Sequence, residues 1–189
     1  MENLEIEFKT LLTQIEYLRL LEAFNVTSFS HQTNVYFDTA KGALKAHGLA
    51  LRIRFYSDTT EITLKVPQLH GHLEINLPLN LKHDELQATT DYFAETEIAT
   101  HLKIMGIATE DLVPIAKLTT KRAEKKLDIG LLALDESWYN QTRDYELELE
   151  VDDYDSGKLA FTKLLSQHQI TYQKAAPKIA RAINNASLS

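Results

Sequence analysis

The 189 residues include 44% hydrophobic and 25% charged side chains, a balance that suits a folded chain with a substantial core and excludes a disordered one. A formal net charge of −7 disfavours nonspecific association with nucleic acid or an anionic membrane surface. The absence of cysteine removes disulfides, thiolate metal sites and cysteine nucleophiles together.

Nothing approaches 18 consecutive apolar residues, and charged Glu2 and Glu5 stand where a secretory leader would need apolar ones. A single domain over residues 1–189, cytoplasmic and without a membrane or nucleic-acid partner, is the expectation.

The first element is a strand around Glu5-Ile6-Glu7-Phe8-Lys9, whose alternation puts Glu5, Glu7 and Lys9 on one face and Leu4, Ile6 and Phe8 on the other. Thr13-Gln14-Ile15-Glu16 has capping-box spacing and opens a helix to about Phe24, with Tyr17, Leu18, Leu21 and Phe24 as its apolar stripe. Strands follow over Gln32–Phe37 and Leu49–Phe55, separated by a turn at Asp38–Gly42. Ser57-Asp58-Thr59 turns the chain into a strand over Glu61–Val66, and Leu73–Leu77 forms the next, ending at Pro78. The stretch from about His83 to Met105 reads as helical, stopping at Gly106. Strands over Leu118–Leu127 and Leu131–Asp135 can pair across Asp128-Ile129-Gly130, and another covers Tyr145–Val151. Ser156 is placed to cap a helix over Leu159–Leu165, and Pro177 to open a last helix carrying Lys178 and Arg181. The fold class expected is α+β, with about eight antiparallel strands that could close into a barrel covered by helices.

The strands share one peculiarity. Arg52 and Arg54 alternate with Leu51, Ile53 and Phe55; Lys65 lies in Ile62–Val66; Glu146, Glu148 and Glu150 alternate with Leu147, Leu149 and Val151. Like charges side by side on a strand face are unfavourable without counter-ions. If helices cover the apolar faces from outside, the interior holds Lys9, Arg52, Arg54, Lys65 and Arg122 with Glu5, Glu7, Glu74, Glu146, Glu148 and Glu150. Burying such a set is costly unless a polyanion answers the cations and a divalent metal the carboxylates. Oxygen ligands suit Mg²⁺ or Mn²⁺, so a phosphorylated small molecule is the substrate class expected.

Glu5-x-Glu7-x-Lys9 resembles the N-terminal signature of the CYTH superfamily, the triphosphate tunnel metalloenzymes. The likeness continues in the family's order through Tyr36-Phe37-Asp38-Thr39, Leu49–Arg54, Thr63-Leu64-Lys65 and Glu146–Glu150, spanning about Leu4 to Arg181. It is most similar to the small bacterial branch of adenylate-cyclase-like proteins. The resemblance implies an eight-stranded antiparallel tunnel that hydrolyses or transfers a small-molecule triphosphate with a divalent metal, in a monomer or homodimer. It implies that Lys9, Arg52, Arg54, Lys65, Arg122 and Lys178 hold phosphate oxygens. Glu148 and Glu150 match a metal-binding pair supported by Asp135, while Glu146 could replace one member because the three-glutamate run blurs the register. Glu5 and Glu7 match positions that hold a second metal and its water. Hydrolysis to a diphosphate and orthophosphate is the expected reaction; cyclisation of ATP, or sensing of a phosphorylated ligand without turnover, are the alternatives. Loss of Glu148 or Glu150 is expected to abolish turnover while leaving folding largely intact. Asp135 could instead simply begin a turn at Asp135-Glu136-Ser137, and Lys178 could be a surface residue of a helix's first turn.

Overall fold

The computed structural model describes residues 2–81, 91–139 and 141–184. Eight strands, β1 (Glu2–Leu12), β2 (Ser30–Thr39), β3 (Ala50–Phe55), β4 (Thr60–Pro67), β5 (His72–Leu79), β6 (Leu112–Leu127), β7 (Gly130–Tyr139) and β8 (Thr142–Val151), make up the sheet. They are hydrogen-bonded in the cyclic order β1-β5-β4-β3-β2-β6-β7-β8, a closed barrel, and the registered pairs are antiparallel. Among the described residues five α-helices accompany them: α1 (Gln14–Ala23), α2 (Ala43–Ala46), α3 (Glu97–Ile104), α4 (Tyr154–Gln167) and α5 (Lys178–Asn184). The class is therefore α+β, as the alternating strands suggest. No helix among the described residues is long and apolar enough to cross a membrane.

The chain divides into two compact units, one of residues up to Leu4 with Thr33–Lys117, the other of Glu5–Gln32 with Leu118 onwards. In the first, Leu51, Ile53, Leu64 and Ile75 from β3, β4 and β5 meet Phe93, Ile98 and Leu102, all at or near zero exposure. The alternation read in Arg52–Phe55 is the reason: every second side chain of β3 is buried while Arg52 and Arg54 stay half-buried on the other face. Asp38 serves structure here. Its carboxylate accepts from the backbone N–H groups of Thr39 (2.7 Å), Leu44 (2.8 Å) and Lys45 (3.1 Å), which ties β2 to the short α2.

In the second unit, α1 and α4 lie on one face of β8. Tyr145, Leu147, Leu149 and Val151 point to them and join Leu20, Phe161 and Leu164, leaving Glu146 and Glu148 on the opposite face of the strand. Burying one such aliphatic side chain stabilises by about 1.5–3 kcal/mol, which fixes the register and with it the face the glutamates occupy. The capping box forms as its spacing predicts: Thr13 Oγ1 accepts from the Glu16 N–H at 3.2 Å and Glu16 accepts from the Thr13 N–H at 2.7 Å. Gly130 follows the turn at Asp128 and Ile129 with φ of +144°, and a Cβ there would stand 2.1 Å from the Glu150 carbonyl oxygen, so glycine is required by both conformation and space.

Several boundaries differ from those read in the sequence. The expected helix from His83 to Met105 is, in its described part, a 3₁₀ turn at Asp91–Phe93 and then α3; Glu95, at φ of +57°, separates the two, and residues 83–90 lie outside the described residues. β5 runs through Pro78 to Leu79, because proline can stay in a strand where the ladder makes no use of its missing N–H. β7 continues past Asp135 to Tyr139, so Asp135-Glu136-Ser137 is strand rather than turn. Leu132–Ser137 are buried on both faces, which erases the alternation that would have announced the strand. The cap of α4 is Asp153, whose carboxylate accepts from the Ser156 backbone N–H at 2.9 Å and from its hydroxyl at 2.7 Å.

Candidate active site

Strand pairing assembles the charged centre of the second unit. Asp135 on β7 lies opposite Glu146 on β8 and opposite Arg122 on β6, while Glu148 lies opposite Lys9 on β1. Asp135, Glu146 and Glu148 are all buried, and an oxygen of each lies within 4.8 Å of the other two. Three carboxylates so close repel strongly, and cations surround them. Arg122 donates through Nε and Nη2 to both Asp135 oxygens at 2.8 and 2.6 Å, and through Nη2 to Glu148 Oε2. Lys178 Nζ meets Asp135 Oδ2 at 2.8 Å, Glu146 Oε1 at 2.7 Å and Glu148 Oε1 at 2.5 Å. Arg181 reaches Asp144 Oδ2 at 2.6 Å and also donates to Glu146 Oε2.

The protonation equilibria follow from this packing. Burial alone would raise Glu148, but Lys178 and Arg122 outweigh it and hold the carboxyl well below its usual range. Asp135 is lowered against the same desolvation by Arg122 and Lys178. Glu146 goes the other way, to about 7, because desolvation and the neighbouring Glu148 charge exceed the help of Lys178 and Arg181. Lys178 and Arg122, despite burial, are pushed up by the carboxylates they touch.

The same unit carries the first-strand trio. Lys9 donates to Glu7, and Glu5, Glu7 and Lys9 are half-buried. Desolvation works against the Lys9 ammonium, yet Glu7, Glu148 and Glu146 together raise its pKa. Glu5, Glu7 and Glu150 are not part of the three-carboxylate cluster. The geometry thus groups Glu146, rather than Glu150, with Glu148 and Asp135. Of the adjacent basic pair, Arg122 joins the carboxylates, while Lys121 lies over the Phe29 ring at 4.0 Å.

Arg181 is the member of the centre that the sequence reading left unassigned. Its signal was present: it stands three residues after Lys178, a spacing that puts both cations on one face of α5. Asp144 and Tyr139 extend the network, the Tyr139 hydroxyl donating to Asp144 Oδ2.

A second set of charges lies within the first unit. Lys65 Nζ is 2.9 Å from Glu74 Oε1 and Arg52 Nη2 is 3.6 Å from it. Arg54 donates to Asn34 Oδ1 at 2.9 Å and to the Tyr56 hydroxyl at 3.1 Å, and Glu61 lies 3.5 Å away. Burial would raise Glu74, but Lys65 and Arg52 lower it to about 2 from a usual 4.5. Its stabilising contribution is therefore complete above pH 4.5 and is lost as pH falls toward 2, worth about 3 kcal/mol at most. Glu74→Gln is expected to flatten the pH dependence of urea unfolding across that window; an unchanged slope would show that the pairing with Lys65 carries no stability.

The oxygen-only donor set of Asp135, Glu146 and Glu148 has the chemistry of a site for a hard metal cation. An ammonium ion-paired with all three, and hydrogen-bonded to Glu146 and Glu148, shows that their oxygens converge on a point where positive charge is favoured. The residues present fit a divalent cation.

Comparison with known proteins agrees with these observations. The CYTH domain profile matches residues 3–183. The Bacillus subtilis (strain 168) protein YjbK, provisionally named a triphosphatase, is 37% identical over 186 residues, 95% of this chain and 94% of its own length. A crystal structure from Bacillus halodurans, provisionally described as an adenylate cyclase, superposes with a TM-score of 0.88 at 32% identity, over 95% of this chain and 97% of that one. HpAC1 of Hippeastrum, provisionally named an adenylyl cyclase and described as having a dominant triphosphatase activity, gives 0.80 at 26% identity, over 100% and 98%. With its strand order, its alternating charged faces and a profile match over nearly its whole length, the chain belongs to the CYTH domain family.

Proposed function

We propose that this chain, acting as a single domain, hydrolyses a triphosphate to a diphosphate and orthophosphate, with Mg²⁺ or Mn²⁺ held by Asp135, Glu146 and Glu148. The substrate is inorganic triphosphate or a small organic triphosphate. The observation that carries this reading is the buried trio of carboxylates enclosed by Arg122, Lys178 and Arg181. A site that only binds anions has no use for three converging carboxylates, whereas phosphoryl transfer needs cations and metal-holding oxygens together. The name of YjbK and the activity described for HpAC1 support the same reaction class.

A divalent ion bound at these carboxylates supplies charge neutralisation for phosphate oxygens and lowers the pKa of water. The protein's own groups do the rest. Lys9 and Lys178 supply positive charge for the phosphate oxygens, Arg52, Arg54 and Lys65 being the further phosphate ligands that the resemblance implies, and Glu5 and Glu7 orient the attacking water, with a second ion where one is used. Arg122 has a different task from the phosphate clamp that the resemblance implies. Its fork is already committed to Asp135 and Glu148, so it fixes the carboxylates in place.

The second reading, cyclisation of ATP, is favoured by the provisional names of the Bacillus halodurans and Hippeastrum proteins. Phosphorus NMR of ATP incubated with the protein and Mn²⁺ separates the two. Hydrolysis yields ADP and orthophosphate. Cyclic AMP with pyrophosphate as the main product would overturn the hydrolase reading.

A further inference from the structure

We propose that the Lys178 ammonium is the resident cation of the Asp135–Glu146–Glu148 centre, that it competes with the divalent metal for the same oxygens, and that it thereby sets the metal affinity of the site. This rests on the metal site proposed above and adds to it a determinant of how tightly that site binds.

The six carboxylate oxygens of the centre fall into two sets. Asp135 Oδ1 and Glu148 Oε2 accept from Arg122, and Glu146 Oε2 accepts from Arg181. Asp135 Oδ2, Glu146 Oε1 and Glu148 Oε1 converge on Lys178 Nζ at 2.8, 2.7 and 2.5 Å. Arg122 Nη2 shares Asp135 Oδ2 at 2.6 Å. The ammonium donates to Glu146 and Glu148 and pairs by charge with Asp135, so it contacts all three carboxylates. The oxygens turned toward the centre are those a metal would use, and Lys178 holds all three.

The two sets differ in how easily their cations can leave. The guanidinium groups cannot be deprotonated, and the Arg122 fork is gripped at two carboxylates, so the arginines form a fixed outer frame. Lys178 is a point charge on a flexible four-carbon stem, at the first position of the seven-residue α5 and directly after Pro177. Moving Nζ away requires only side-chain rotation; it frees Glu146 Oε1 and Glu148 Oε1 and leaves Asp135 Oδ2 to Arg122 alone. A metal that binds there must displace the ammonium or accept it as a like-charged neighbour, and either outcome lowers affinity. Conversely, a bound phosphate gives the displaced ammonium an anionic partner.

The test uses the whole protein and Mn²⁺ alone, with no substrate, measured by the loss of the free-ion electron paramagnetic resonance signal. Lys178→Met, which keeps the stem and removes the charge, is expected to bind Mn²⁺ at least about tenfold tighter than wild type. Lys178→Arg keeps the charge and is expected to bind no tighter than wild type, while Glu148→Gln loses most binding in either background. Equal or weaker Mn²⁺ binding by Lys178→Met overturns the proposal. Were that variant unfolded without metal, millimolar Mn²⁺ is expected to restore its circular dichroism and cooperative melting; an unfolded chain indifferent to metal is the contrary result. If wild type releases phosphate from tripolyphosphate with Mn²⁺ yet Lys178→Met gains no affinity, this inference alone falls. If wild type neither binds Mn²⁺ nor releases phosphate, the functional reading falls with it.

Discussion

Glu148→Ala is expected to lower metal-dependent phosphate release by about 10²–10³-fold and to destabilise the fold by about 3–5 kcal/mol. The stability part departs from the expectation, read from the sequence, that this glutamate can be removed with folding largely intact. Glu148 is buried and is held by both Arg122 and Lys178, so alanine takes one carboxylate partner from each of two cations in a place water barely reaches. For a chain of this size the loss corresponds to a fall in Tm of roughly 6–20 °C. Glu148→Gln, which keeps the volume and one acceptor oxygen, should recover part of the stability and none of the activity. A Glu148→Ala protein that melts like wild type would mean that the buried pairing contributes nothing.

Arg122→Ala carries the second large effect, and it falls on structure before chemistry. Asp135 has no exposed surface and receives both oxygens' strongest bonds from the Arg122 fork. Removing the fork is expected to cost about 3–5 kcal/mol, and Arg122→Lys to recover only part, since a single ammonium cannot bond both oxygens in parallel. Urea denaturation at neutral pH measures both. If Arg122→Ala left stability unchanged and only weakened tripolyphosphate binding, Arg122 would be a phosphate ligand and its role as a frame for the carboxylates would be wrong.

Much of this molecule is written in the alternation of its strands. Leu51-Arg52-Ile53-Arg54-Phe55 and Glu146-Leu147-Glu148-Leu149-Glu150 state which face is buried under helices and which is charged, and the structure keeps those faces. The capping box at Thr13 and Glu16 marks the start of α1 to the residue. What stayed illegible has identifiable causes. β7 is buried on both faces between Leu132 and Ser137, so neither alternation nor turn residues show where it ends, and Asp135 reads equally well as strand or turn. The glutamate run at 146–150 gives three equivalent candidates two residues apart. Only the register against Asp135 and Arg122, a long-range fact, groups 146 and 148. Arg181 lies 35 residues from the glutamate it holds, and its one local signal is the three-residue spacing from Lys178.

The central claim is that Asp135, Glu146 and Glu148 hold a divalent metal for triphosphate hydrolysis. It is tested most directly by phosphate release from tripolyphosphate with Mg²⁺, with Mn²⁺ and with chelator, for wild type beside Asp135→Asn. Release that requires metal and falls by at least about 10²-fold in the folded Asp135→Asn protein is the predicted result. Release that persists in chelator, or that Asp135→Asn leaves untouched, would contradict it.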